Sequence, residues 1–199
     1  MLYLVRHGEP KHAESESDEA GLSEIGRQQA TLLGQRLRGI PFTALHHSPL
    51  RRAAQTGQVI ADHLPGVPLR PSALVGDYIP GVPDPGALPA VYAAFMDSLS
   101  EAERTDGPRL AAQAIKHFAA PTQTDQRELI VTHNFLISWF IRHALDAPDW
   151  RWLGLNQYHC GLTVILYRPD RPAAMVSYND VGHLPPPLRG TGFPPELRV

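Results

Sequence analysis

Two histidines and at least two arginines occupy positions in the sequence from which they could act together on a phosphate group. Arg6 and His7 follow one short apolar run, Arg51 and Arg52 follow a second, and His133 follows a third. Two arginines can hold a phosphate through bidentate contacts, and a neutral imidazole, with a pKa near ~6.5, is a nucleophile at neutral pH. These residue types predict phosphoryl transfer through a phosphohistidine, with cationic side chains in place of a metal ion.

These residues can meet only if the elements around them form a parallel sheet. The apolar runs at residues 2–5, 42–47 and 128–133 are typical of buried strands. A helix is expected from Ser23 to about residue 38, and a second one begins with Ser48 as its N-cap and Pro49 in its first turn. Because strands and helices alternate, we expect a three-layer α/β/α sandwich around a mostly parallel sheet, with the strand ends meeting at one edge.

Composition limits the class of protein further. The chain has 199 residues, of which 43% are hydrophobic and 19% are charged, with a formal net charge of −2. This is enough apolar material for one sizeable core, and there is no overall basic field to attract nucleic acid or an anionic membrane. Cys160 is the one cysteine, and residues 1–5 do not resemble a secretory signal, so we expect a reducing, cytoplasmic compartment.

Several stretches of the chain, in order, resemble the motifs of one known family. They are residues 4–9 (LVRHGE), 22–30 (LSEIGRQQA), 48–56 (SPLRRAAQT), 130–133 (IVTH), 155–156 and 179–184 (NDVGHL). Together they resemble the histidine phosphatase superfamily, in the phosphoglycerate mutase-like branch (branch 1). The resemblance covers nearly the whole chain and implies one domain over residues 1–199, with a loop and helix excursion at about 71–108 above the active site.

The resemblance also implies roles for individual residues. His7 would accept the phosphoryl group, Arg6 and Arg52 would hold its oxygens, and His133 would stabilise its charge. Arg51 lies at a position where the family varies, and it is left out of the site.

Two positions depart from the family pattern. Where the family has a glutamate general acid, this chain has Asp77, which we expect to be the acid, with its pKa raised by the bound phosphate. Glu9 is the substitute candidate for the general acid and is also expected to contact the substrate. Asn134 follows His133 in place of glycine, and it would cap the next helix or add a donor to the pocket.

Three other interpretations of the sequence stay open or are set aside. A phosphoglycerate mutase-type transfer is the first, although Glu9, Pro10 and Lys11 follow the first motif where mutases have a Trp-Asn pair. A phosphate-binding module without catalysis is the second. A metal site is the third, but His46 and His47 are adjacent and face opposite sides of a strand, so no metal and no cofactor are expected.

The sequence does not identify the substrate or the oligomeric state. The excursion at 71–108 and the loop at 11–21 are expected to cover the pocket and to give it a partly apolar mouth. A small phosphorylated molecule or a phosphoprotein would fit this description, and neither nucleic acid nor a membrane is an expected partner.

Overall fold

The computed structural model describes residues 1–11 and 20–190. Most of the expected loop at 11–21 therefore lies outside the described residues. The strands are β1 (Leu2–Arg6), β2 (Ala44–His47), β3 (Leu69–Pro71), β4 (Glu128–Thr132), β5 (Leu162–Arg168) and β6 (Arg171–Asp180). The helices are α1 (Glu24–Leu37), α2 (Arg51–Ala61), α3 (Ala93–Asp97), α4 (Glu101–Phe118) and α5 (Asn134–Ala144).

The strands form one six-stranded sheet in the order β3-β2-β4-β1-β5-β6. The four strands β3, β2, β4 and β1 are parallel to one another, and β5 and β6 continue the sheet in antiparallel fashion. The expected α/β fold with a mostly parallel sheet is confirmed. The antiparallel β5 starts beside the end of β1, so residues just before β5 lie at the same edge of the sheet as residues just after β1.

The helices cover both faces of this sheet and create two cores. On one face, α1 and α2 contribute Leu33 and Ile60 to a cluster with Val5 from β1. On the other face, Phe140 of α5 packs with Leu4, the neighbour of Val5 along the strand. Successive residues of a strand point to opposite faces, which explains why the apolar runs in the sequence are continuous rather than alternating. Among the described residues, no helix combines the length and the apolar character needed to cross a bilayer.

The start of α2 differs from the expectation. Ser48 was predicted to be its N-cap, but the N-cap is Leu50, in extended conformation and without a side-chain capping bond. The Ser48 hydroxyl accepts from the N–H of Leu50 at 3.3 Å, before the helix begins, and contacts the ring of His133 at 2.9 Å. The prediction was wrong because Leu50 is extended, so the helix begins two residues later than a cap at Ser48 would require. The predicted cap of α1 is confirmed, because the Ser23 side chain accepts a hydrogen bond from the N–H of Gly26.

The helices in and after the excursion differ in length from those that the apolar spacing suggested. One helix was expected from about residue 88 to 99, but a single turn at 90–92 leads into the five-residue α3. The next helix, α4, begins well before the predicted apolar positions at 111–118, with a capping box formed by Ser100 and Glu103. The reciprocal bonds of a capping box fix a helix start, which separates α4 from α3.

Two glycines allow the end of β1 and the start of α1 to approach closely. A Cβ atom on Gly26 would lie 2.2 Å from the carbonyl oxygen of Glu9, and one on Gly8 would lie 2.6 Å from the carbonyl oxygen of Gly26. Side chains at either position would push the helix away from the segment that carries His7. These contacts are a structural reason for glycine in both motifs.

Candidate active site

The register of the sheet brings the predicted site residues together. Arg6 is paired with Thr132 across β1 and β4, so His7 and His133 follow at neighbouring positions. Backbone bonds extend this alignment past the strands, from the N–H of His7 to Thr132 and from the N–H of Ser48 to Val131. The ring centres of His7 and His133 lie 5.1 Å apart. The expectation that the two histidines share one site agrees with this geometry.

His7 is oriented as a nucleophile requires. Its Nδ1 lies 2.8 Å from the carbonyl oxygen of Gly8, which can only accept a hydrogen bond, so Nδ1 carries the proton and Nε2 keeps its lone pair. Only 5% of His7 is exposed. Burial, followed by the charges of His133, His159 and Arg6, lowers the pKa of His7 well below its usual value. His7 is therefore neutral at pH 7.

The two predicted arginines line the same cavity as His7. Arg52 is buried and donates from Nη2 to the carboxylate of Asp77 at 2.7 Å. Arg6 donates from Nη1 to the carbonyl oxygen of Gln157 at 2.7 Å. Burial, with a contribution from Arg52, lowers the pKa of Arg6 to about 10, although the charge of Asp77 opposes that shift. Arg6 remains a cation at neutral pH, so the site carries positive charge beside a neutral imidazole.

His133 is held between two partners. Its Nε2 lies 2.9 Å from the Ser48 hydroxyl, and its Nδ1 lies 3.2 Å from Asp77. Burial lowers the pKa of His133, and the neighbouring carboxylate of Asp77 opposes that effect. With a carboxylate at Nδ1, the matching tautomer has its proton on Nδ1 and accepts from Ser48 at Nε2.

Asp77, the predicted general acid, lies in the site, where its carboxylate contacts Arg52 and His133. Burial alone would raise the pKa of Asp77, but the interactions with His133 and Arg52 outweigh it and lower the pKa to about 2. A raised pKa was expected from a bound phosphate; without one, Arg52 stabilises the carboxylate. The Asp77 carboxylate, of which 39% is exposed, lies where an anionic ligand would contact Arg52.

The side chains of Glu9 and Asn134, the remaining predicted substrate contacts, form hydrogen bonds with other residues of the protein. The carboxylate of Glu9 accepts a hydrogen bond from the Ser23 hydroxyl at 2.7 Å. Asn134 does not cap α5, because the N-cap is His133; that prediction was wrong. Its side chain instead accepts from the N–H of Gln157 and donates to the carbonyl of Leu155, which anchors the loop before β5.

The structure adds one residue that the sequence motifs did not indicate. His159 is buried, and its ring centre lies 5.4 Å from that of His7. It lies in the loop that leads into β5, at the edge of the sheet where β1 ends. An antiparallel strand that follows the parallel strands starts at the edge where β1 ends. Residues just before such a strand could therefore be expected near His7, but the sequence did not predict the direction of β5.

A cavity of about 800 Å³ opens above these residues. Its floor is charged, and its walls come from the excursion and from α4 and α5. The lining residues are Arg6, His7, Pro10, Arg52, Asp77, Tyr78, Ile79, Phe95, Ser98, Leu99, Ala102, Glu103, Asp106, Gly107, Leu110, Phe135 and His159. Within residues 1–11 and 20–190, no three histidine, cysteine, aspartate or glutamate side chains are grouped so as to hold a metal ion.

Comparison with known families agrees with this site. The sequence pattern of the histidine phosphatase superfamily (branch 1) matches residues 2–74 and 106–181. The chain belongs to the histidine phosphatase superfamily. The matched segments contain His7, Arg52 and His133, whereas Asp77 lies in the unmatched excursion between them.

Relatives of known name show a more specific similarity. The chain is 37% identical over 191 residues to the serine/threonine-protein phosphatase Pgam5, mitochondrial, of Caenorhabditis briggsae, and 30% identical over 190 residues to the human protein of that name. In both cases the match covers 93% of this chain and 64% of the relative. The chain therefore spans just under two thirds of the length of these relatives.

Solved structures share the fold at lower identity. YhfR of Bacillus stearothermophilus superposes with a TM-score of 0.70 at 22% identity, covering 92% of this chain and 98% of that one. The α-ribazole phosphatase of Shigella flexneri superposes with a TM-score of 0.67, also at 22% identity, covering 90% and 96% of the two chains. These likenesses support the α/β fold.

Proposed function

We propose that the chain is a metal-independent phosphatase that hydrolyses a phosphomonoester through a phosphohistidine on His7. The observation that carries the proposal is the Nδ1 contact of His7 with Gly8, which leaves the Nε2 lone pair directed away from that carbonyl, in a ring lining a cavity that also contains two arginines. A neutral imidazole, cationic groups for the phosphoryl oxygens and room for a substrate are the parts that phosphoryl transfer requires.

The reaction proceeds in two displacements at phosphorus. In the first, Nε2 of His7 forms a bond to phosphorus, the bond from phosphorus to the ester oxygen breaks, and that oxygen takes a proton. In the second, water attacks the phosphohistidine, which releases inorganic phosphate and returns His7 to its neutral state. Arg6 and Arg52 hold the charged oxygens throughout, and Asp77 is placed to carry the proton.

Two acidic residues argue against the mutase alternative. Glu103 and Asp106 line the cavity, and hydrogen bonds from Ser100 hold the pKa of Glu103 below its usual value, so it is a carboxylate at neutral pH. A mutase must hold a substrate with further anionic groups, which these side chains repel. Hydrolysis needs only water as the second reactant, and it is the simpler reaction for this cavity.

We expect turnover of a generic phosphomonoester such as p-nitrophenyl phosphate to be unaffected by EDTA. Arg6 and Arg52 supply the positive charge that a metal ion supplies in many phosphoryl-transfer enzymes. The measurement is the initial rate before and after exhaustive chelation, followed by addition of Mg²⁺, Mn²⁺ or Zn²⁺. A complete loss of turnover that one of these metals restores would contradict the proposal. No turnover of any phosphomonoester, together with measurable phosphate binding, would favour the phosphate-binding module.

Within the phosphatase class, we propose phosphoserine or phosphothreonine in a protein as the substrate. The name of the relatives at 37% and 30% identity describes them as serine/threonine-protein phosphatases. One wall of the cavity is apolar, with Ile79, Phe95 and Phe135, and its volume suits a side chain together with its neighbours. The cytoplasmic location stays a prediction, with which the burial of Cys160 is compatible.

A substrate panel tests this choice. We expect phosphopeptides with apolar or basic residues beside the phosphoserine to have higher kcat/KM values than free phosphoserine, because the cavity offers both an apolar wall and carboxylates. Peptides with acidic neighbours serve as the matched comparison and should be poorer substrates. Phe95→Ala should reduce the preference for peptides and leave the rate on free phosphoserine unchanged. A small phosphorylated metabolite that exceeds every peptide would overturn the substrate proposal but not the reaction.

A further inference from the structure

His159 places a third imidazole at the proposed phosphoryl site. Only 2% of the residue is exposed, and it lines the cavity together with Arg6, His7 and Arg52. Its ring centre lies 5.4 Å from that of His7, nearly the same separation as the 5.1 Å between His7 and His133. The nucleophile is therefore flanked by two other imidazoles, only one of which the sequence motifs indicate.

The loop that carries His159 is fixed by side chains from several elements. The carbonyl of Gln157 accepts from Arg6, and the N–H of Gln157 donates to Asn134 at 2.8 Å. The N–H of Tyr158 donates to the side chain of Asn179, also at 2.8 Å. The backbone before His159 is thus bound to β1, α5 and β6, which leaves its side chain little freedom of position.

The residue after His159 is fixed in an unusual conformation. Cys160 has a φ of +54°, in the left-handed region that non-glycine residues seldom adopt. Its N–H donates to the carbonyl of Arg6 at 3.0 Å. Such conformations persist where the surroundings dictate them, and they concentrate at functional sites. The backbone directly after His159 is therefore held in one conformation against the end of β1.

The charges around His159 determine which form of the ring is present. Burial, followed by the charges of Arg6 and Arg52, lowers the pKa of His159 well below its usual value. A neutral imidazole has one N–H donor and one acceptor. In a cavity whose floor contains two arginines, the ligand is an anion, and the part of the ring that such a ligand can use is the N–H.

We propose that His159 is a further catalytic residue of this site, which donates its ring N–H to an oxygen of the phosphoryl group during transfer to and from His7. This inference rests on the proposed phosphatase function. It assigns the phosphoryl oxygens a neutral donor in addition to the two arginines and His133. A donor fixed in position before the substrate arrives stabilises the transition state without reorganising when charge develops.

The test removes the N–H and keeps the ring. We expect His159→Phe to weaken the binding of orthovanadate and inorganic phosphate by about 10- to 100-fold, and to reduce kcat on p-nitrophenyl phosphate by a similar factor, as for loss of one hydrogen bond to a charged group. His159→Gln, which retains an N–H donor, should recover part of both. His46→Phe is the matched control, because His46 is also a buried histidine but packs against Phe118, outside the cavity, and it should change neither quantity.

The possible outcomes separate this inference from the function on which it rests. If His159→Phe binds vanadate as tightly as the wild type while phosphohistidine still forms on His7, the inference is overturned and the proposed function stands. Equal losses in His159→Phe and His159→Gln, accompanied by a lower melting temperature, would assign His159 to packing and also overturn it. Absence of any phosphohistidine in the wild type would overturn the proposed function itself.

Discussion

Replacing His7 by asparagine is expected to reduce turnover of every phosphomonoester by roughly 10⁴-fold or more, since the reaction loses its nucleophile. Asparagine can still donate a hydrogen bond to the Gly8 carbonyl, as Nδ1 of His7 does. The fold should therefore be retained while the reactive Nε2 is removed. Quenching wild-type protein in alkali during turnover should trap a phosphohistidine, which is stable in alkali and labile in acid, and the variant should show none.

The chain contains a closely matched control for this variant. His47 is the last residue of β2, whereas His7 is the first residue after β1. His47 is also buried, and its Nδ1 lies 2.8 Å from the carbonyl oxygen of Ser48. It packs against α2 at Gly57 and does not line the cavity. His47→Asn should therefore keep both turnover and the trapped phosphohistidine. If His7→Asn still forms a phosphoenzyme, or if both variants lose activity equally, His7 is not the nucleophile.

The parts of the site that could be predicted from sequence are those that follow from strand order. His7 and His133 each come directly after a buried apolar run, and parallel strands bring such positions to one edge. The positions of Arg6 and Arg52 follow from the same reasoning, because both lie within a residue or two of a strand end or a helix start. Local sequence and one topological rule are enough to predict this convergence.

The other parts depend on contacts that no local pattern encodes. Serine is a residue type that commonly caps helices, but the hydroxyl of Ser48 contacts His133, because β2 and β4 are neighbours. His159 reaches the site only because β5 runs antiparallel to β1, a direction that its apolar run does not reveal. Asp77 lies in an irregular segment, where neither hydrophobic periodicity nor a family motif fixes the position of a side chain.

The protonation of Asp77 is expected to change when a phosphate group binds at the site. In the free protein Arg52 donates to Asp77, and the pKa of Asp77 is about 2. A phosphate group that takes Arg52 removes this stabilisation and places negative charge beside the carboxylate, and both changes raise the pKa of Asp77. We therefore expect substrate binding to convert Asp77 from a counter-ion of Arg52 into a group that can hold a proton.

This change in protonation predicts that the rate effect of replacing Asp77 depends on the leaving group of the substrate. Asp77→Asn should slow phosphohistidine formation from an alkyl phosphate by ~10²–10⁴-fold, because an alkoxide leaves only with a proton. An aryl phosphate such as p-nitrophenyl phosphate has a leaving group that needs little protonation, so its cleavage should suffer much less. The measurement is the single-turnover rate of both substrates. Asp77→Glu is the conservative control, and it should recover part of the alkyl phosphate rate.

The pH dependence of the wild type tests the same proton independently. Asp77 is ionised in the free protein at every pH above about 2, so the proton for an alkoxide must enter with the substrate, whose phosphate has its second pKa near ~6. The value of kcat/KM for an alkyl phosphate should therefore fall about tenfold per pH unit above that pKa, with a flatter profile for the aryl phosphate. His7 stays neutral on the acidic side, because its pKa is lowered.

Equal losses of both substrates in Asp77→Asn would indicate a structural role in the loop. No loss would remove Asp77 from the mechanism and restrict the site to activated phosphates, such as acyl phosphates, which need no acid.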